Sequence, residues 1–258
     1  MHHVQLVKQV NIMSIKIQLP RILCLHGAGS SGNIFRAQGR KIFHSLRREF
    51  QFVFVDAPFP STAGPGMYPT YADSGPFYRW QCDLSASSSF DITEEEVLAE
   101  TENVWQSLEA QLRSPGGGPF IGVMAFSQGA RVATGFLLHL EKKRRQQRPD
   151  LPKIQFIIVN SATYPPLLFD SESDSGDMPN ESLDQTSLNK KLSIPSIHIE
   201  GSNDPWHPES VKMREEYFDQ QLSMVIPFVG GHQVPVTDKD VNEITVAIRK
   251  LAAQASVL

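Results

Sequence analysis

The sequence predicts an α/β fold with a mostly parallel central sheet flanked by helices, and two observations support it. Short apolar runs alternate with longer amphipathic stretches, which is the order of strands and helices in βα units. The runs are apolar at nearly every position, as strands buried on both faces of a sheet must be. The predicted strands are Arg21–Leu25, Phe52–Val55, Phe120–Ala125, Ile154–Val159, Ile194–Ile199 and Met224–Val229.

Four stretches between these runs have the apolar spacing of helices. They span residues 34–50, 97–112, 128–140 and 240–252. Ahead of the second, Thr93 and Glu96 have the spacing of a capping box, in which each side chain bonds the backbone N–H of the other residue. The chain has 258 residues, 40% of them hydrophobic, so residues 1–258 are predicted to form one domain with a full core.

Two segments interrupt the alternation of strands and helices. Segment 59–90 is long and rich in proline, glycine and aromatic residues, and long ordered loops in compact domains are usually functional. Segment 170–190 is acidic and rich in serine and asparagine, so it is predicted to be a flexible surface excursion or lid. The fold prediction therefore includes a loop or lid insertion.

Net charge, cysteine content and hydrophobicity limit the classes of protein to which the chain can belong. The formal net charge is −4, without the basic excess of a nucleic-acid-binding surface. Two cysteines are too few for a disulfide scaffold. No run approaches the roughly 20 apolar residues of a membrane helix, and polar residues interrupt the first 19 positions. We expect a cytoplasmic protein with neither a membrane nor a nucleic acid as partner.

The strongest local signal is the sequence Ala-Phe-Ser-Gln-Gly at 125–129, which joins a predicted buried strand directly to a helix. A serine on such a sharp turn is the nucleophile elbow of the α/β-hydrolase fold. The turn crowds its neighbours, so the residues two before and two after the serine must be small. Ala125 departs from the more usual glycine by one methyl group. Ser127 is the predicted nucleophile.

A second glycine-rich turn follows the first strand, at His26–Gly29. In α/β-hydrolases a backbone N–H from such a loop and the N–H of the residue after the nucleophile bind the developing oxyanion. We therefore predict Ala28 and Gln128 as the oxyanion hole. A glycine turn with a purely structural role would have a similar sequence.

Chain order selects the base and the acid, because nucleophile, acid and histidine follow one another in this fold. His232 comes after the last strand, beside two glycines that let its loop fold back, and is the predicted general base. His207 is its competitor. Asp204 follows the fifth strand and is the predicted acid, although an aspartate in Ser-Asn-Asp-Pro is also typical of a turn.

With these residues placed, the sequence resembles the FSH1-like fungal serine hydrolases, and in particular the stand-alone thioesterases and hydrolases of fungal polyketide pathways. The resemblance extends over residues 20–252. It rests on the motifs LCLHGAGSSG (23–32), FVDAP (54–58), GPFYRW (75–80), AFSQGA (125–130), GSNDPWHP (201–208) and GGHQVP (230–235).

The resemblance implies hydrolysis of an acyl thioester or ester without a cofactor or metal. In the polyketide subgroup the acyl chain leaves an acyl carrier protein, so such a carrier is an expected partner. We expect Phe77, Tyr78 and Trp80 to wall an acyl pocket, and His207 to be a pocket residue; these aromatics could equally be core beneath a long loop.

Two alternatives remain open at this stage. A general carboxylesterase acting on small or lipid esters would need the same triad and an apolar pocket. A non-catalytic binding protein could also use a hydrolase scaffold, although the intact set of Ser127, Asp204 and His232 argues against it.

Overall fold

The computed structural model describes residues 18–82, 93–146, 150–169 and 191–255. The acidic segment 170–190 and the end of the aromatic segment, 83–90, lie outside the described residues. The strands are β1 (Arg21–Leu25), β2 (Gln51–Val55), β3 (Phe59–Ser61), β4 (Phe77–Arg79), β5 (Phe120–Phe126), β6 (Phe156–Asn160), β7 (Ser196–Gly201) and β8 (Ser223–Phe228). The helices are α1 (Gly32–Gln38), α2 (Arg40–Leu46), α3 (Glu94–Leu112), α4 (Gln128–Gln146), α5 (His207–Tyr217) and α6 (Asp238–Gln254).

Six strands form one parallel sheet in the order β2-β1-β5-β6-β7-β8, which confirms the predicted fold class. The six predicted apolar runs match these strands to within about two residues at either end. Because all the strands are parallel, their carboxyl ends share one edge. In open α/β sheets, ligands bind at this edge.

The core lies on both faces of the sheet, because successive side chains of a strand point to opposite faces. Leu23 and Val123 belong to the cluster under α3 and α4, whereas Ile22, Cys24 and Met124 belong to the cluster under α1, α2 and α6. This two-sided burial is why the strands are apolar at every position.

The stretch predicted as one helix over 34–50 is two helices, separated at Gly39. The backbone of Gly39 leaves helical geometry, at φ −90° and ψ 14°, and its N–H bonds the carbonyls of Phe35 and Ala37. A Cβ at this position would collide with the ring of Phe43, so the glycine lets that ring pack against the turn. The apolar residues keep helical spacing across the break, so the sequence pattern does not show it.

The sequence pattern predicted the start of helix α3 but did not predict helix α5. The capping box of α3 is confirmed: Thr93 N–H donates to Glu96 Oε2 (2.9 Å), and Glu96 N–H donates to Thr93 Oγ1 (3.2 Å). Helix α5 was not predicted. It buries only Ser210 and Met213, so its sequence has almost no apolar periodicity.

The described part of the aromatic segment contains structure of its own. Strands β3 and β4 pair antiparallel, and a backbone bridge joins Ser30 to Tyr78. The segment is thereby tied to the loop that follows β1. Among the residues that the structure describes, no helix is long and apolar enough to cross a membrane.

Candidate active site

Ser127 lies on a tight turn between β5 and α4. Its φ is +55°, a left-handed backbone conformation that residues other than glycine rarely adopt. Its N–H donates to the carbonyl of Asn160 at the end of β6 (3.1 Å), which anchors the turn to the sheet edge. At Gly129 a Cβ would come within 2.5 Å of the carbonyl oxygens of Leu25 and His26, so only glycine allows α4 to approach β1 this closely. Ala125 is fully buried, and its methyl group is accommodated.

The structure brings Ser127, His232 and Asp204 together in one hydrogen-bonded chain. His232 Nε2 lies 2.8 Å from Ser127 Oγ, and His232 Nδ1 lies 2.9 Å from Asp204 Oδ2. A carboxylate accepts only, so Nδ1 donates and Nε2 is left to accept the serine proton. The side chain of Asp204 is 1% exposed, and its second oxygen accepts the N–H of Trp206 (2.9 Å).

Backbone contacts hold the loops that carry Asp204 and His232. The N–H of Asn203 donates to the carbonyl of Gly230 (2.9 Å). A Cβ at Gly201 would lie 2.7 Å from that same carbonyl, so the loops after β7 and β8 touch there. The imidazole of His232 also packs against two rings, with centroid distances of 5.0 Å to Phe126 and 4.5 Å to Trp206. The ring therefore has little freedom to turn away from Ser127.

The predicted oxyanion donors lie beside the nucleophile. Ala28 and Gln128 both line the cavity that contains Ser127, and Gln128 begins α4, where the helix dipole favours negative charge. A Cβ at Gly27 would lie 3.2 Å from Ser127 Cβ and 3.1 Å from the ring of Phe126. The loop after β1 is thus in close contact with the nucleophile turn.

His26 is an uncharged buried histidine at the base of this loop. Its Nε2 accepts the N–H of Ala57 (3.0 Å), so the proton is on Nδ1, which donates to the carbonyl of Gly27 (2.7 Å). Burial lowers the pKa of His26 to about 4, and the ring is therefore neutral near pH 7. Sequence reasoning assigned it no role.

The cavity at Ser127 has a volume of about 210 Å³ and mixed chemistry. Met67, Phe126 and Trp206 supply apolar walls, and Arg131 and Glu209 supply charge. A more open groove of about 670 Å³ lies between α2 and α6, and it holds the Lys41–Asp238 ion pair. The smaller cavity is the candidate site because it contains the reactive groups.

None of the four side chains expected in the pocket wall is among the described residues that line this cavity. Trp80 is fully buried in the core, and Phe77 and Tyr78 are half-buried in β4. His207 begins α5, and its Nε2 lies 3.4 Å from a carboxylate oxygen of Glu200. The segment after β3 folds back so that β4 pairs with β3, which buries Trp80 but leaves Tyr68 70% exposed.

The wall residues that sequence reasoning missed come from several parts of the chain. Arg131 follows Ser127 by four positions, one helical turn, and this spacing was a usable signal. Its Nε donates to the carbonyl of Pro165 (2.6 Å), in the loop after β6. Tyr164 and Glu209 meet where the N–H of Tyr164 donates to Glu209 Oε2 (2.7 Å), and only the tertiary fold brings them together.

Within the described ranges, no group of three or more histidine, cysteine, aspartate or glutamate side chains is arranged to hold a metal ion. The chemistry available to the residues present is nucleophilic attack by a serine whose proton a neighbouring imidazole accepts, with backbone donors beside the reacting centre.

Structural comparison finds the same fold in solved structures of other proteins. The carboxylesterase of Bacillus cereus superposes with a TM-score of 0.52 at 15% identity, over 90% of this chain and 89% of the other. The acyl-protein thioesterase 2 of Zea mays superposes with a TM-score of 0.52 at 14% identity, over 91% and 94%. The protein has the α/β-hydrolase fold.

Several fungal proteins are more similar to this chain in sequence. The thioesterase FSL2 of Gibberella zeae is 41% identical over 234 residues, which are 89% of this chain and 91% of FSL2. The dihydromonacolin L-[lovastatin nonaketide synthase] thioesterase of Aspergillus terreus is 32% identical over 256 residues, 94% and 96% of the two chains. The esterase citA of Monascus ruber is 30% identical over 259 aligned positions, 95% and 97%. The family model for serine hydrolases (FSH1) matches residues 13–244, and the chain belongs to this family of enzymes.

Proposed function

We propose that this serine hydrolase cleaves an acyl thioester or ester through a triad of Ser127, His232 and Asp204. One observation carries the proposal: the two hydrogen bonds of 2.8 and 2.9 Å that link serine, imidazole and carboxylate at the floor of a cavity. An isolated serine hydroxyl is a weak nucleophile, and a hydrogen-bonded imidazole oriented by a buried carboxylate is the arrangement that activates it.

The reaction proceeds in two halves. Ser127 Oγ attacks the acyl carbonyl while His232 Nε2 takes the hydroxyl proton, and the negative charge on the carbonyl oxygen is held by the N–H groups of Ala28 and Gln128. The carbon–sulfur or carbon–oxygen bond then breaks, and the leaving group takes the proton from His232. In the second half, His232 removes a proton from water, which attacks the acyl-serine, and the proton returns to Ser127 Oγ as the acid departs.

We further propose that the acyl group is a polyketide chain delivered as a thioester on an acyl carrier protein. Two fungal relatives are named thioesterases, and the name of one refers to a nonaketide synthase. The cavity suits a chain that has both apolar and oxygen-bearing parts, because Met67 and Trp206 face the same space as Arg131 and Thr163.

A general carboxylesterase is the second candidate, since the family also includes relatives named esterases. Comparing the same acyl group on a carrier protein and on N-acetylcysteamine separates the two. A carrier-dependent thioesterase should hydrolyse an acylated carrier protein with a much lower KM than the N-acetylcysteamine thioester. Equal KM values would favour the carboxylesterase.

The first test is labelling by a fluorophosphonate probe together with hydrolysis of S-butyryl-N-acetylcysteamine. We expect Ser127→Ala and His232→Ala to abolish labelling and to lower kcat by about 10⁴- to 10⁶-fold, because the groups of a triad act as a unit. Ser114→Ala and His44→Ala are matched controls outside the cavity and should behave like the parent protein. A folded parent protein that neither labels nor turns over would favour the third candidate, a binding protein on a hydrolase scaffold.

A further inference from the structure

Trp80 makes two hydrogen bonds that the chemistry above does not use. Its indole Nε1 donates to the carbonyl of His26 (2.8 Å), and its backbone N–H donates to Gln128 Oε1 (2.9 Å). The side chain is fully buried, and its ring centroid lies 5.3 Å from that of His26. Trp80 is therefore bonded to both of the loops that supply the oxyanion donors.

On one side, two successive peptide groups of the loop after β1 are held by buried donors. The carbonyl of His26 accepts from Trp80, and the carbonyl of Gly27 accepts from His26 Nδ1 (2.7 Å). The carbonyl of Gly27 and the N–H of Ala28 belong to the same peptide group, and in a trans peptide they point in opposite directions. Fixing that carbonyl therefore fixes the direction of the Ala28 N–H.

On the other side, the contact is made by the side chain of Gln128. Its Oε1 accepts from Trp80, and its Nε2 donates to the carbonyl of Gln81 (3.2 Å). Gln128 is 7% exposed, and its own backbone N–H is the second predicted oxyanion donor. Its amide therefore ties the first residue of α4 to the segment that follows β4.

We propose that Trp80 is a positioning residue that fixes the separation and direction of the two oxyanion donors, with the side-chain amide of Gln128 as its partner. The inference rests on the proposed function, because it assigns a purpose to contacts around the same reacting centre. Backbone donors stabilise a transition state only when they are already aimed at the oxygen on which charge develops, so rigid support of their peptide groups contributes directly to the rate.

The test uses Trp80→Phe, which keeps an aromatic ring and the backbone N–H but loses the indole donor. Trp105→Phe is the matched control, because Trp105 is also a buried tryptophan of the same core cluster but lies in α3 and outside the cavity lining. For each variant we would measure the melting temperature, kcat and KM with S-butyryl-N-acetylcysteamine. The fourth measurement is the affinity for an alkyl trifluoromethyl ketone, whose serine adduct carries the oxyanion.

We expect Trp80→Phe to lower kcat by about 10- to 100-fold with KM changed less than about threefold, a smaller effect than removing a donor outright because both N–H groups remain. Affinity for the ketone should fall by a similar factor. Trp105→Phe should lower the melting temperature and leave kcat within about twofold. If Trp80→Phe lowers only the melting temperature, as its control does, the positioning role is refuted.

Gln128→Met provides an independent second variant, should Trp80→Phe fail to fold. Methionine has a similar length, keeps the backbone N–H and removes both amide hydrogen bonds. We expect the same loss in kcat and in ketone affinity, with KM nearly constant. Unchanged kinetics in folded Gln128→Met would also refute the inference. A parent protein that neither labels nor hydrolyses the thioester would overturn the proposed function and this inference with it, so the two failures are distinguishable.

Discussion

The two halves of the candidate site are held by opposite means. On the side of β1 and β5 the proposed oxyanion donors beside Ser127 are backbone N–H groups, and buried side chains, those of His26, Trp80 and Gln128, hold them in place. On the side of β7 and β8 the proposed acid and base are the side chains of Asp204 and His232, and backbone contacts between their loops hold them.

This difference determines what mutation can reveal. A side-chain acid or base is removed by a single substitution, whereas a backbone donor survives nearly every substitution and can only be moved. The acid–base half should therefore give losses of many orders of magnitude. The donor half should give moderate losses that follow geometry rather than chemical identity.

The largest effect is expected at Asp204. In Asp204→Asn the amide can donate to His232 Nδ1, so the imidazole adopts the tautomer whose Nε2 carries the proton and cannot accept one from Ser127. We expect kcat/KM to fall by about 10⁴-fold while the fold is retained, because the other side-chain oxygen can still accept from Trp206.

The control is Asp219→Asn. Asp219 also caps a turn through its carboxylate, which accepts the N–H of Gln221 (2.9 Å), but it precedes β8 at the opposite edge of the sheet. It should keep full activity. More than a tenth of the parent kcat/KM remaining in Asp204→Asn would contradict the assignment of the acid.

The sequence indicated the proximity of Ser127, Asp204 and His232 better than it indicated the contacts of Trp80, for a physical reason. Ser127, Asp204 and His232 each follow an apolar run, and parallel strands bring their carboxyl ends to one edge, so position along the chain implied proximity. No such sequence signal indicates the contacts of Trp80, because an aromatic residue in a long loop is equally typical of a pocket wall and of a core. Its two hydrogen bonds depend on how β3 and β4 pair.

Most of the cavity walls, Arg131 apart, were unpredictable for the same reason. Met67, Tyr164 and Trp206 come from three loops that meet only in the folded protein. Strand ends were misjudged by a residue or two because apolar residues precede β6 and β7, while polar residues such as Asn160 and Glu200 lie inside these strands. The break at Gly39 was missed because helical spacing persists across it.

Each half contains a buried histidine whose protonation should make the free energy of unfolding depend on pH. Burial lowers the pKa of His26 to about 4, and burial together with the charge of Arg214 lowers the pKa of His198, on β7, to about 3. Both side chains are buried, so the folded protein keeps them neutral at mildly acidic pH, whereas the unfolded chain protonates them below about pH 6.5. The unfolded state then binds more protons, and stability falls as the pH is lowered.

At pH 5 each histidine should cost about 2 kcal/mol of unfolding free energy relative to pH 8, or about 4 kcal/mol for the pair. Urea unfolding at the two pH values measures the difference. His198→Gln should lose only about half as much between them, whatever its stability at pH 8. The carboxylate of Glu100, whose pKa is lowered by Arg79, adds a loss of the same sign only at more acidic pH. Equal stability at pH 8 and pH 5 would show that these histidines are protonated in the folded state.

The smallest effect tests the donor half by geometry alone. A Cβ at Gly27 would lie 3.1 Å from the ring of Phe126 and 3.2 Å from Ser127 Cβ, so Gly27→Ala must push the loop that carries Ala28 slightly away from the nucleophile. We expect kcat to fall about tenfold with KM little changed, since the donor is displaced rather than lost. Gly32→Ala is the matched control, because its tightest contact is also 3.1 Å but is made with Phe54 on β2. If both alanine variants have the parent kcat, the donor loop tolerates displacement. The contrast between a rigidly supported donor half and an acid–base half that depends on side chains would then no longer hold.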